Sequence, residues 1–137
     1  MATTGFALIT PGEVKFEGTA EIVVAPGAAG DLAALAQHAP MLTTLRAGIL
    51  RATVVDAKYP GERSRVEYAV SGGFLHILPD KVVVLTDLAL GPQEIDADAA
   101  RADLRRAEQG SAGSKDGDAE HRRAAAWANA RLELIGK

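Results

Sequence analysis

From Phe6 to about Leu90 the apolar residues come in short, β-branched runs, and after Gly91-Pro92 they change to three- and four-residue spacing. Short runs rich in Val, Ile and Leu, cut by turn signals, predict strands rather than helices. The clearest are Phe6–Thr10, Glu13–Phe16, Ala20–Ala25, Gly48–Val55, Arg65–Val70, Phe74–Leu78 and Val82–Thr86. Pro11-Gly12, Pro26-Gly27, Pro60-Gly61 and Pro79-Asp80 punctuate them, with proline presetting φ and the second residue tolerating the reversal. Many short strands at this spacing predict a sandwich or barrel. Within it, Ser71–Asp87 reads as two strands around a tight Pro79-Asp80-Lys81 turn. Gly72 and Gly73 precede the first of them as a structural corner, because glycine tolerates positive φ and close backbone approach.

Proline has no ladder donor and restricts its predecessor, so Gly91-Pro92 ends the strand regime. Ala97, Ala100, Leu104 and Ala107 then fall on one face of a helix starting near Asp96, with Asp96 and Asp98 suited to its first turn. Gly110–Gly117 breaks that helix, and Asp118 caps a second, in which Ala125, Ala128, Leu132 and Ile135 form a stripe. The chain is therefore predicted to divide into a strand-built unit, 1–90, and an αα-hairpin, 91–137. The hairpin stripe is mostly alanine, which buries little against the roughly 1.5–3 kcal/mol of a buried Leu or Ile. The hairpin is thus expected to be marginal alone and free to detach.

At 137 residues without cysteine, the chain excludes disulfides and thiolate metal sites and suits a reducing compartment. The N-terminus lacks the basic start and apolar block of a secretory signal, and no stretch approaches the roughly 20 apolar residues that span a bilayer. Membrane association, if any, is expected only through a partner. A net charge of −3 gives no general attraction to nucleic acid.

Candidate chemistry is sparse. His38, His76 and His121 share no metal-ligand spacing. His76 lies between Leu75 and Ile77 and is expected on the solvent side of its strand. His38, in Gln37-His38-Ala39-Pro40, reads either as a loop hydrogen bond or as a partner contact. The pairs Asp96/Asp98 and Asp116/Asp118 have ordinary helix-start or loop explanations, and no nucleophile motif or phosphate-binding glycine loop occurs. No enzyme activity, metal or cofactor is expected. Arg101, Arg105 and Arg106, with Arg122 and Arg123, are suited either to an anion or to a solvated helix face laced by Asp98–Arg101 and Asp103–Arg106 pairs.

Gly30-Asp31-Leu32, followed by His38-Ala39-Pro40-Met41-Leu42-Thr43-Thr44 and Gly48-Ile49-Leu50-Arg51, resembles a signature of the epsilon subunits of F-type ATP synthases. Ser71-Gly72-Gly73-Phe74-Leu75 through Val82–Asp87 is similar to a second. The resemblance implies a ten-stranded β-sandwich followed by a two-helix antiparallel hairpin, in a non-catalytic subunit of the rotor's central stalk. It implies a sandwich that binds the gamma subunit and the c-ring, and a regulatory hairpin able to reach the alpha and beta subunits. It also implies a peripheral place on the cytoplasmic side of a bacterial inner membrane. Asp31, His38, Met41 and Leu42 carry over as contact candidates for the c-ring or gamma. A nucleotide, in relatives that bind ATP, would draw on the positions of Asp96, Arg101 and Arg105. Here four residues separate Ile95-Asp96 from Arg101-Ala102, and Glu108 stands where a basic residue is expected, so ATP is expected to bind no tighter than about 1 mM. Two other readings are an ATP-sensing module and a carbohydrate-binding sandwich; the latter wants exposed aromatics, and the chain has only six scattered ones: three Phe, two Tyr and one Trp.

Overall fold

The computed structural model describes residues 2–56, 59, 61–109 and 115–136, without the side chains of 115–118. Alternation builds the strands. Leu75 and Ile77 in Gly73–Leu78, and Val82 and Val84 in Lys81–Leu85, are buried, while Phe74 and Leu85 between them are exposed. Two residues, Pro79-Asp80, join these segments, and Lys81 already pairs with Leu78, so the turn is one residue tighter than expected.

In order the strands are β1 (Thr4–Thr10), β2 (Glu13–Gly27), β3 (Gly30–Leu35), β4 (Met41–Leu45), β5 (Gly48–Val55), β6 (Arg63–Val70), β7 (Gly73–Leu78), β8 (Lys81–Leu85) and β9 (Ala89–Leu90). A 3-10 turn (Pro92–Glu94) leads to α1 (Ala97–Gln109) and α2 (Lys115–Leu134). The architecture is a β-sandwich followed by two helices. Nine strands are present among the described residues rather than ten, because the segments read as Glu13–Phe16 and Ala20–Ala25 are one fifteen-residue strand. Its ladder shifts between Ala20 and Ile22, where it exchanges β1 for β3 as neighbour while keeping β5 on its other edge. One bent strand thereby serves both layers, a usual effect of an irregular ladder position. β3, β4 and β9 fall outside the strands that the pattern predicts.

The first layer is β1-β8-β7-β4, with β1 and β8 parallel; the second is β3-β2-β5-β6-β9. Phe6, Leu8, Leu75, Ile77, Val82 and Val84 of the first meet Val23, Leu50, Ala52, Val54 and Val70 of the second in one core. Phe6 and Phe16 pack at 5.4 Å between ring centroids.

α2 packs on β5 and β6, and α1 packs on α2. Ile49 and Ala69 are cross-strand partners that are buried although they stand outside the main core, consistent with cover from α2. Ala100 and Ala107 of α1 and Ala128, Ala130 and Leu132 of α2 are buried, and Arg131 is 8% exposed. Asp96 caps α1, its Oδ1 accepting from the N–H groups of Asp98 and Ala99 at 3.0 and 3.2 Å. Asp118 lies inside α2 rather than at its start, because the helix already begins at Lys115. Pro60 and the loop 110–114 lie outside the described residues.

Among the described residues, none of the hairpin enters the main core cluster. Residues 1–90 alone are therefore expected to unfold cooperatively in urea, at a midpoint lowered by the exposure of Ile49 and Ala69. A fragment without a cooperative transition would show that the helices belong to the same folding unit.

Candidate functional site

The outer face of the first layer is built from the strand positions that alternate with the core. Cross-strand partners there form two rows: Leu42, His76 and Val83, and Thr44, Phe74, Leu85 and Ile9. Leu42 is 65% exposed, Phe74 50% and Leu85 44%. Phe74 and Leu85 are directly opposed, and Leu42 lies diagonally across from Phe74, so these apolar side chains are neighbours on one surface. A depression of about 300 Å³ beside them is lined by Ile9, Thr10, Pro11, Phe74, Leu85 and Thr86, among others. A contiguous apolar area on a rigid sheet is the usual mark of a protein–protein contact.

Of the sequence candidates, Met41 and Leu42 open β4 and are exposed on this layer. His38 stands next to them, in a turn closed by its N–H donating to Leu35 O at 3.2 Å, with Gln37 at a positive φ of 65°. Its Nδ1 lies 2.6 Å from Ala39 O, a loop hydrogen bond. Asp31 is not beside them. It is the second residue of β3, whereas His38 follows its end, and Asp31 to Leu35 alone spans about 13 Å at ~3.3 Å per residue.

At the Asp31 end the sequence reading misses a residue. Arg46 donates through Nη2 to Asp31 Oδ1 at 2.6 Å and through Nη1 to Gly27 O, and its backbone N–H donates to Pro26 O at 2.9 Å. Ala28 N–H donates to Thr44 O at 3.0 Å, which completes a rigid corner between the β2–β3 and β4–β5 turns. Asp31 and Arg46 side chains are about half exposed, at 57% and 47%. Only the fifteen-residue separation hides this pair from a helix- or strand-period search.

Gly72 and Gly73 lie at the same end of the sandwich, with φ of 117° and 131°. A Cβ on Gly73 would come within 2.0 Å of Leu85 O. Ser71 N–H donates to Leu88 O, and Leu88 N–H to Ser71 Oγ, both at 3.1 Å, so this corner is also tied to the β8–β9 connection.

Asp96 and Arg101 each have a partner on α1 itself. Asp96 is engaged in capping α1, and Arg101 Nη2 donates to Asp98 Oδ1 at 2.7 Å. Arg105 is exposed on α1. Asp103 instead joins the two helices, bonded to Arg106 on its own helix and to Arg131 across the pair at 2.9 Å. The Arg131 hydrogen bond, ahead of Arg106, holds the Asp103 carboxyl below its ordinary value. Among the described residues no helix is long and apolar enough to cross a membrane, and no group of three or more potential ligands is placed to hold a metal.

Residues 3–92 match the β-sandwich domain of the ATP synthase Delta/Epsilon chain. The ATP synthase epsilon chain of Moorella thermoacetica is 40% identical over 109 residues, covering 80% of this chain and 77% of that protein. That of Neisseria gonorrhoeae is 38% identical over 130 residues, 93% of this chain and 89% of the other, so the likeness extends into the hairpin. In fold, the chain resembles one from the Euglena gracilis mitochondrial ATP synthase (OSCP/F1/c-ring), with a TM-score of 0.80 at 21% identity, covering 100% of this chain and 83% of that one. A chain of the Tetrahymena thermophila mitochondrial ATP synthase central stalk and c-ring gives 0.66 at 15% identity, covering 96% of each. Sandwich and hairpin together place the chain in the ATP synthase epsilon chain family.

Proposed function

We propose that this chain is a non-catalytic rotor subunit that joins the gamma subunit to the c-ring on the cytoplasmic side of a bacterial membrane. The exposed strip of Leu42, Phe74 and Leu85 carries the reading, since a coupling subunit needs a broad apolar joint on a rigid support and no reaction centre. Gamma takes this face, and Met41 and His38 stand at its margin. The Asp31–Arg46 corner, at the end of the sandwich, meets the polar loops of the c-ring. One exposed ion pair is worth at most about 1 kcal/mol, so the corner sets register while the apolar face holds the joint. The hairpin is the regulatory arm, and through it the alpha and beta subunits come within reach.

Co-purification of the full chain with gamma tests this. Phe74→Asp places a charge in the middle of the strip and is expected to weaken gamma binding at least about tenfold, equivalent to ~1.4 kcal/mol, with an unchanged melting temperature. Undiminished binding would remove this face from the joint. Asp31→Asn is expected to spare gamma binding and lower ATP-driven proton pumping by the reassembled complex at low salt. Unchanged pumping would leave Asp31 as a partner of Arg46 alone.

A further inference from the structure

The segment between Leu90 and Ala97 is two bonded units with one residue between them. On its sandwich side, Glu94 N–H donates to Gly91 O at 3.0 Å, and Gly91 N–H donates to Glu94 Oε1 at 3.0 Å. Pro92 fixes a further dihedral. This closed turn is fastened to β2, because Lys15 Nζ donates to Glu94 Oε2 at 2.7 Å. The Lys15 side chain is only 11% exposed, and Glu13 lies 3.5 Å from the same ammonium. Tyr68 OH donates to Lys15 O at 3.4 Å and braces the strand beneath. On the hairpin side, Asp96 is already part of α1: its side chain caps the helix, and its carbonyl accepts from Ala100 N–H at 3.0 Å. Ile95, extended at φ −91° and ψ 126°, belongs to neither unit.

We infer that Ile95 is the hinge between sandwich and hairpin, and that the Lys15–Glu94 pair is the fixed jaw against which the hairpin turns. A rotation about Ile95 breaks no hydrogen bond of the 91–94 turn and none of the Asp96 cap. A rotation at Gln93 breaks the Gly91–Glu94 bonds and the Lys15 pair together. What must separate is the contact of α2 with β5 and β6, and among the described residues the hairpin supplies no member of the main core. The charges of the jaw favour its closed form, since the hydrogen bond with Glu94 raises the Lys15 pKa and that with Lys15 lowers the Glu94 pKa. The sequence around Ile95 therefore separates two tasks: Glu94 sets where the arm starts, and Ile95 lets it turn. The inference rests on the hairpin being a movable arm.

Residue-resolved amide exchange on the full chain tests it. In the unsubstituted protein, α1 amides are expected to exchange through openings that leave Gly91 and Glu94 protected. Ile95→Gly, which loosens one backbone position, is expected to speed exchange in α1 about 2- to 5-fold without changing Gly91 or Glu94. Glu94→Gln keeps an oxygen for Gly91 but loses the ionic bond, and is expected to speed Gly91 and Glu94 by about the same factor, with the β5 and β7 amides unaffected. Exchange of Gly91 and Glu94 in step with α1 before any substitution would move the hinge upstream and overturn the proposal, as would an Ile95→Gly variant that exchanges like the parent. If α1 exchanges in every variant only at the rate of the sandwich core, the arm does not open, and the movable-arm reading falls together with the hinge.

Discussion

Gly73→Ala is expected to lower stability by about 2–6 kcal/mol, combining ~1–3 for a non-glycine residue at this φ with ~1–3 for overpacking. The new Cβ would lie 2.0 Å from Leu85 O and 2.9 Å from Thr86 Cα, both backbone atoms of the neighbouring connection. No side-chain rotation relieves such a contact, so β7 must move away from β8 at the Phe74–Leu85 pair. In a domain with about 5–15 kcal/mol in total, that is a large fraction. Other glycines set the scale. Gly72→Ala has positive φ and a Cβ 3.3 Å from Leu45 O, and Gly30→Ala has positive φ with open space around it. Gly12→Ala has open space and no positive φ. The urea midpoints are expected to fall in the order Gly12→Ala, Gly30→Ala, Gly72→Ala, Gly73→Ala, at constant slope. A Gly73→Ala midpoint near that of Gly12→Ala would contradict the close approach. Because Phe74 is the next residue, the same variant is expected to disturb the apolar strip even where it folds.

The hairpin gives the second large effect, and it is asymmetric. Arg131 is nearly buried, with its Nη2 on Asp103, its Nε donating to Trp127 O at 3.4 Å and its guanidinium 5.0 Å from the centre of the Trp127 ring. Asp103→Ala leaves that buried cation without its carboxylate and is expected to cost about 3 kcal/mol. Arg131→Met leaves Asp103 paired with Arg106 and partly solvated, and keeps most of the packed volume; about 1 kcal/mol is expected. The alanine-lined helix contact has little to spare, so Asp103→Ala is expected to separate the helices. Trp127 is the chain's one tryptophan, which makes its emission a direct readout, shifting to the red on separation. Equal effects of the two substitutions would show that the pair is not the clasp. The pH response follows from the lowered Asp103 pKa. Its contribution is present above the ordinary carboxyl value of 3.8 and is lost as pH falls through the folded-state value, so the red shift is expected in acid and not near neutrality.

Local patterns made much of the fold legible. Alternation located β1, β5, β6, β7 and β8 closely, because each buries one face of a two-sided layer. The sequence shows β2 as two runs because Glu17-Gly18-Thr19 interrupts the apolar pattern; the strand continues through them beside β1 and changes neighbour only between Ala20 and Ile22. β3 is not legible in the pattern because Leu-Ala-Ala-Leu carries no β-branched residue; among the described residues it pairs with β2 alone, so pairing rather than propensity makes it a strand. Within the hairpin, the Asp98–Arg101 and Asp103–Arg106 pairs could be read from helical spacing. Asp103–Arg131 and Asp31–Arg46 could not, since only folding brings those partners together. The strip had a similar fate: Leu42 was legible through the family signature, but Phe74 and Leu85 look like core residues until the register assigns them to the outer face.

The parallel pairing of β1 with β8 carries a consequence for the order of folding. β1 can zip to β2 early across the short Pro11-Gly12 turn, but its other edge waits for a strand near the far end of the sandwich. Closure by so distant a partner is entropically late and typical of domains that fold in milliseconds to seconds. On the ribosome, Phe6 and Leu8 stay uncovered until Val82 and Val84 have emerged, and the face of β4, β7, β8 and β1 forms only then. A partner that recognises that face therefore selects finished sandwiches and passes over nascent ones.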